Sequence, residues 1–341
     1  MVQTADSSTP LPVGVIGCGR MGRLHARVYS QMPSVRLVGV HDANPAAAEA
    51  TARDYKTTAA AAAEDLLDKV AAVTIAVPTE HHARVAEPFL KRGIACLIEK
   101  PLAKTVEEAR RIIELATEGG ALVQVGHIER FNPAIRAVER FNIRPQFLEV
   151  TRISPMTFRS TDVGVVLDMM IHDIDIVLNL AQSKVASVAA VGVSVIGDVE
   201  DMCNARLTFE NGCVANLTAS RLAMRTERKL RIFSSDAYVS IDYAKRIGTI
   251  VHRSGNLDAI RDAAARIRAG EVEDLSQLNY QELVKIEELH SEEVEPLRAQ
   301  LDAFIHSIRT NTKPVVTAED GLAAVETARR IVESIAPGMV L

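Results

Sequence analysis

The chain has 341 residues, 48% apolar and 24% charged, a size and mix that suit a globular protein of two domains rather than a single core. Its net charge of −5, from 39 Lys and Arg against 44 Asp and Glu, excludes a protein that binds nucleic acid mainly by neutralising phosphates. No apolar run approaches the roughly 20 residues of a membrane span, and Met1–Pro12 reads as a polar tail rather than a secretion signal.

In chain order, Pro12–Gly17 reads as a strand buried on both faces, Met21–Gln31 as a helix, and Val35–Val40 as a second buried strand closed by His41 and Asp42. Asn44 and Pro45 start the next helix as N-cap and first helical residue. Ala59–Ala63 is helical or loop filler, and Glu64–Asp68 is a short helical patch. Val70–Val77 is a strand stopped by Pro78, Glu80–Lys91 a helix ended by Gly93, and Ile94–Ile98 a strand stopped by Pro101. Thr105 and Glu108 form a capping box for a helix that runs to Gly119 and Gly120, and Ala121–Val125 is a further strand. Strands alternating with helices of this length imply right-handed crossovers and a parallel sheet.

After Pro133 the pattern changes. Phe147–Ile153 and Val185–Ile196 read as strands, with a helix over Leu167–Leu180 between them. Ala205–Phe209 and Val214–Ala219 flank Asn211-Gly212, a strong hairpin signal, and Lys229–Phe233 and Tyr238–Tyr243 flank a second turn. Consecutive hairpins make this half α+β, with a mostly antiparallel sheet expected to be open on one face. Residues 271–295 are acidic apart from Lys285, and form either a partner-binding segment or a solvated helical insertion. Pro296–Ile308 and Thr317–Ile335 read as amphipathic helices, the second capped by Thr317 and Asp320. Cys18, Cys96, Cys203 and Cys213 lack the spacing of a zinc site or a disulfide framework, so a reducing, cytoplasmic setting is the default.

Gly17-Cys18-Gly19-Arg20-Met21-Gly22 follows a buried strand and opens a helix, the context a dinucleotide fingerprint requires. Gly17 permits the tight turn, Gly19 lets the backbone approach a pyrophosphate, and Gly22 lets helix and strand pack closely. The helix N-terminus, with Arg20 and Met21, offers amide hydrogens to the phosphates. Asp42, 25 residues after Gly17, is placed to accept bonds from both adenosine ribose hydroxyls and to repel a 2′-phosphate. NAD is therefore favoured over NADP, with His41 and Arg53 leaving room for the latter.

The carboxyl ends of the strands present Val77-Pro78-Thr79 with His82, then Glu99-Lys100-Pro101, then Gly126-His127. Lys100 is either a partly desolvated lysine of lowered pKa near a cationic nicotinamide or a surface lysine paired with Glu99. Asp168, His172 and Asp175 share one face of the expected helix. They could be a carboxylate-tuned proton carrier, ordinary helix charges, or a metal site for which no matching partner residues are evident. No metal is expected.

Together these residues resemble the glucose-fructose oxidoreductase / inositol dehydrogenase / MocA family over nearly the whole chain. The markers are the glycine loop, Val77-Pro78-Thr79, Glu99-Lys100-Pro101, Gly126–Pro133, Asp168-x-x-x-His172-x-x-Asp175, and the closing segment from Pro296 through Asp320-Gly321-Leu322. Within the family, Gly126–Pro133 and Gly164–Asp175 are similar to the UDP-N-acetylglucosamine 3-dehydrogenase branch. Asp168-Met169-Met170-Ile171-His172 departs from it with a bulkier wall where many members have Gly-Val before the histidine. The resemblance implies a dehydrogenase that oxidises the 3-hydroxyl of the nucleotide sugar with NAD. A partner aminotransferase would then make a 3-amino sugar of the lipid A type. It implies Lys100 and His172 as catalytic residues and Asp168 as a sugar ligand, with Arg130 and Asn132 as further substrate contacts. Arg130, Arg152 and Arg159 are candidates for the diphosphate. Val77, Pro78, Thr79, His82, Glu99 and Lys100 join the glycine loop and Asp42 around the cofactor. A homodimer or homotetramer is implied, with no nucleic acid or membrane partner. Rival readings are another sugar or inositol dehydrogenase, an imine or enone reductase, and a non-catalytic NAD-sensing regulator. The expected architecture is a tail (1–11), a Rossmann domain with a doubly wound parallel sheet (12–130), an α+β substrate and oligomerisation domain (131–316), and a C-terminal helix packing back on the core (317–341).

Overall fold

The computed structural model describes residues 9–157, 163–196, 198–253, 257–270, 284–289 and 294–335. The chain divides into two compact units, Met1–Phe131 with Val294–Arg330, and Asn132–Glu293 with Ile331–Leu341.

The first unit is built on β1 (Leu11–Ile16), β2 (Val35–His41), β3 (Thr58–Ala59), β4 (Ala72–Ile75), β5 (Ala95–Glu99) and β6 (Val123–Gly126). All pair in parallel, in the order β3-β2-β1-β4-β5-β6. The helices are α1 (Arg20–Ser30), α2 (Pro45–Asp54), α3 (His82–Lys91) and α4 (Val106–Gly119). The order reverses between β1 and β4, and ligands of such sheets bind at that point, outside the carboxyl ends. The strands lack polar alternation because both faces are covered. In β5, Ala95 and Leu97 join the layer containing Ala26, Tyr29 and Ala52, whereas Cys96 and Ile98 join Phe89, Leu90 and Ile112 on the other face. The expected capping devices are present. Asn44 Oδ1 accepts from the Ala46 N–H at 3.1 Å, and Thr105 Oγ1 from the Glu108 N–H at 3.1 Å.

The expected placement of Pro296–Ile308 in the second domain is corrected. This helix forms after the sheet is complete in sequence, yet it belongs to the first unit. It is joined there by a further helix through Arg330. In α8 (Pro296–Thr310), Leu297, Leu301, Phe304 and Ile305 form one apolar stripe buried in the α1 layer. The α9 helix (Ala318–Ser334) is capped as expected, with the Thr317 N–H donating to Asp320 Oδ2 and the Asp320 N–H to Thr317 Oγ1, at 2.9 and 3.1 Å.

The second unit holds α5 (Pro133–Glu139), β7 (Phe147–Ile153), α6 (Ile171–Ala181), β8 (Val185–Val193), β9 (Met202–Phe209), β10 (Val214–Ser220), β11 (Glu227–Phe233), β12 (Ala237–Asp242), β13 (Ile247–Arg253), α7 (Leu257–Arg268) and β14 (Val284–Leu289). Its sheet runs β14-β13-β12-β11-β7-β10-β9-β8. Every pairing is antiparallel except β7 with β10. Val191, Phe233, Ile247 and Ile286 remain exposed along it, as an open face would leave them. The described part of the acidic segment is a strand rather than a helical insertion, because β14 pairs with β13 from Gly248↔Leu289 to Arg253↔Val284. The rest of 271–295, apart from Val294 and Glu295, lies outside the described residues.

Candidate active site

The glycine loop occupies the turn from β1 into α1. Gly17 has φ +93°, and a Cβ there would lie 2.4 Å from the Ala76 carbonyl oxygen. At Gly22 a Cβ would lie 1.7 Å from the Gly17 carbonyl oxygen. Gly19, by contrast, faces nothing within 4 Å. It is also the N-cap of α1, with extended backbone and no capping side chain, and the first turn carries no acidic residue. Free amide hydrogens and a positive helix end thus face open space, the cradle a pyrophosphate needs. Arg20 is exposed and Met21 half-buried at this end.

Asp42 bridges back to the same loop. Its Oδ2 accepts from the Cys18 N–H at 2.6 Å, and its Oδ1 from the Asn44 N–H at 2.8 Å. A carboxylate has about four acceptor positions, so two remain for ribose hydroxyls. These residues fit a dinucleotide. Burial raises the Cys18 thiol and pushes Cys203 up to about 12, so neither behaves as a reactive thiolate.

Beyond β4, His82 turns inward and is 1% exposed. Its Nδ1 lies 2.9 Å from the Pro101 carbonyl oxygen and its Nε2 lies 3.0 Å from that of Val77. Burial lowers its pKa. His82, expected beside the cofactor, uses its ring to brace the strand ends that carry Val77-Pro78-Thr79 and Pro101. Glu99 is also inward. Oε1 lies 2.8 Å from His25 Nε2, Oε2 accepts the Lys100 N–H at 3.3 Å, and a Cβ on Gly126 would come within 2.9 Å of the carboxyl group. His25 on α1 therefore ties the cofactor-binding helix to the strand end bearing Lys100, which is half-buried. His25 escaped the sequence reading. Its position eight residues after Gly17, on the buried face of α1, was the available signal.

Gly126 leads into His127 and a 3-10 turn over Ile128–Phe131. Arg130 is 5% exposed, with Nη2 3.6 Å from Asp320 Oδ2. Asn132, expected as a substrate contact, caps α5, its Oδ1 accepting the Ala134 N–H at 3.1 Å.

In the second unit, the helix expected over Leu167–Leu180 is not regular. A π-helical turn at Val166–Met170 precedes α6. Glu200 sits at its start, where Oε1 accepts the Val166 N–H at 3.2 Å and the backbone carbonyl accepts the Val165 N–H at 3.0 Å. Gly164 makes room for that carboxylate, since a Cβ would meet Oε1 at 2.0 Å. Asp168 lies within the π-helical turn, whereas His172 and Asp175 follow in the regular α6 helix. Asp168 and His172 are half-buried, and Asp175 is buried. Arg152 is not a surface cation for a diphosphate. It is 3% exposed and bidentate on Asp173, with Nε to Oδ2 at 2.7 Å and Nη2 to Oδ1 at 2.8 Å. Arg159 lies outside the described residues.

Among the described residues, no group of three His, Cys, Asp or Glu side chains could hold a metal ion, and no helix is long and apolar enough to cross a membrane.

Residues 11–127 match the model of an oxidoreductase family with an NAD-binding Rossmann fold, and residues 137–240 match the GFO/IDH/MocA C-terminal domain. The chain belongs to the GFO/IDH/MocA family. It is 38% identical over 271 residues to the UDP-N-acetylglucosamine 3-dehydrogenase of Acidithiobacillus ferrooxidans, spanning 76% of this chain and 86% of that protein. It is 29% identical over 343 residues to the inositol 2-dehydrogenase of Rhizobium meliloti, covering 95% and 96% of the two chains. A solved structure of the Acidithiobacillus enzyme superposes with a TM-score of 0.85 at 32% identity, over 96% of this chain and 98% of that one. As a GFO/IDH/MocA member the chain is an oxidoreductase of the dehydrogenase type that uses a nicotinamide cofactor.

Proposed function

We propose that this dehydrogenase oxidises the 3-hydroxyl of UDP-N-acetylglucosamine to the ketone with NAD, supplying a sugar for transamination in lipid A type synthesis. The observation that carries this reading is the 38% identity to an enzyme of that name across three quarters of the chain. Asp42 supports NAD over NADP, because a carboxylate bonded to the glycine loop would repel a 2′-phosphate.

The bound dinucleotide supplies a hydride acceptor at the nicotinamide ring. The protein's part is to position and to move charge. Lys100, on the strand end braced by Glu99 and His25, donates to the reacting oxygen and steadies the negative charge that grows there. His172 takes the hydroxyl proton as general base. Asp168 and Arg130 hold the sugar and its phosphates.

Mixing the protein with NAD and UDP-N-acetylglucosamine should generate reduced nicotinamide, with an aminotransferase or a carbonyl reagent present to draw off the ketone. Lys100→Ala and His172→Ala should each lower turnover by about 100-fold or more. Near-wild-type turnover in both overturns the assignment of roles. The end-to-end match to an inositol 2-dehydrogenase favours a second reading, oxidation of a free polyol. Reduction of NAD by myo-inositol but not by the nucleotide sugar would establish it.

A further inference from the structure

His127 directly follows β6, at the carboxyl edge of the parallel sheet. Glu99 is in register with Gly126, so Lys100 and His127 leave neighbouring strands side by side. The ring is 1% exposed, and neither Nδ1 nor Nε2 has a hydrogen-bond partner among the described residues. The other two buried histidines of this unit are held, His25 by Glu99 and His82 by backbone carbonyls. A neutral imidazole has one donor and one acceptor. Leaving both unmet in the interior is unfavourable, and an apolar side chain of similar volume would avoid that cost.

The surroundings explain the charge state. Burial first, then Arg130 and Lys100, push the His127 pKa down to about 3, against the weaker pull of Glu99 and Asp320. At neutral pH the ring is an uncharged donor and acceptor set beside an ammonium and a guanidinium. A further cation would be repelled there. A neutral group that both gives and takes a hydrogen bond, such as a sugar hydroxyl or amide, matches it.

We propose that His127 is a substrate-binding, specificity-determining residue, whose ring hydrogen-bonds to a hydroxyl or amide of the sugar beside the hydroxyl that Lys100 engages. The inference rests on the dehydrogenase reading of Lys100 given above.

His127→Leu and His127→Gln, compared with the wild type, test it through the KM of the sugar, the KM of NAD and the melting temperature. The expected result for His127→Leu is a sugar KM raised by about tenfold or more, an NAD KM within about twofold of wild type, and a melting temperature at or above wild type. His127→Gln keeps a donor and an acceptor and should recover most of the sugar affinity. An unchanged sugar KM overturns the proposal, as does a rise confined to the KM of NAD. A melting temperature lowered by more than about 5 °C in His127→Leu overturns it too, because the ring then has a partner inside the protein. This last measurement needs no substrate. If the wild type does not oxidise UDP-N-acetylglucosamine, the substrate reading fails on its own, and the variants are compared on the polyol or sugar that the enzyme does oxidise.

Discussion

Replacing His25 with Leu tests whether its contact with Glu99 supports the strand end that carries Lys100. His25 is fully buried and Glu99 is 8% exposed, so water has little access to replace a lost partner. Glu99 Oε1 has the 2.8 Å bond from His25, and Oε2 only the longer 3.3 Å bond from the Lys100 N–H. A hydrogen bond to a charged group contributes about 1.5–3 kcal/mol, and stranding a buried charge costs about 3–5 kcal/mol. Because Glu99 keeps its second bond and slight solvent contact, the expected loss is about 3 kcal/mol. For a folding unit of this size that corresponds to a melting temperature about 6–12 °C lower. Adding Glu99→Gln removes the stranded charge, so the double variant should be about 1 kcal/mol or more stabler than the sum of the single effects. Calorimetric melting of both single variants and the double variant measures these differences. A loss below about 1 kcal/mol in His25→Leu, or strict additivity in the double variant, would refute the reasoning.

Gly22→Ala drives a Cβ to 1.7 Å from the Gly17 carbonyl oxygen, so α1 must move off β1. NADH binding followed by fluorescence should weaken by about tenfold or more, and wild-type affinity would contradict the cradle described at the helix end. Arg152→Met removes both Arg152 hydrogen bonds from the buried Asp173 carboxylate, with an expected loss of about 3–5 kcal/mol in urea unfolding. If the variant is as stable as wild type but binds the nucleotide sugar poorly, Arg152 is a diphosphate ligand after all. The pKa of His127, about 3, lies below its ordinary 6.5. Between those values the unfolded chain binds a proton that the folded chain does not, so stability falls as pH drops from about 6.5 toward 3. His127→Leu lacks this group, and its stability should decline less steeply by up to about 1.4 kcal/mol per pH unit. Parallel stability curves for the two proteins would count against a neutral His127.

The parallel sheet was legible because its strands are short, apolar and punctuated by glycine or proline, and because its caps are local. The two-residue β3 was not, since Thr58–Ala59 has no periodicity and exists only through pairing with β2. In β14, Glu287 and Glu288 break the alternation, so only the ladder with β13 makes it a strand. The glycine loop and Asp42 could be placed from spacing alone, because turn geometry and strand ends are near neighbours in sequence. The partners of the buried charged groups could not. His25 with Glu99, and Arg152 with Asp173, are 74 and 21 residues apart, and nothing local in either segment names the other. For the same reason nothing local in the sequence marks Arg152 or His82 as buried. Glu200, which meets the first residue of the π-helical turn ahead of α6, is likewise 34 residues from Val166.

The first unit is made from two separated stretches of chain, and this bears on how the polypeptide matures. While the chain is being synthesised, the glycine loop and all six strands emerge early. Leu301, Phe304 and Ile305, which cover one side of that sheet, come only after the whole intervening unit. Until then the nascent sheet carries an uncovered apolar strip, a state prone to stick to other chains and to attract chaperones. Nicotinamide binding by the growing polypeptide should therefore lag well behind translation of the loop that cradles it.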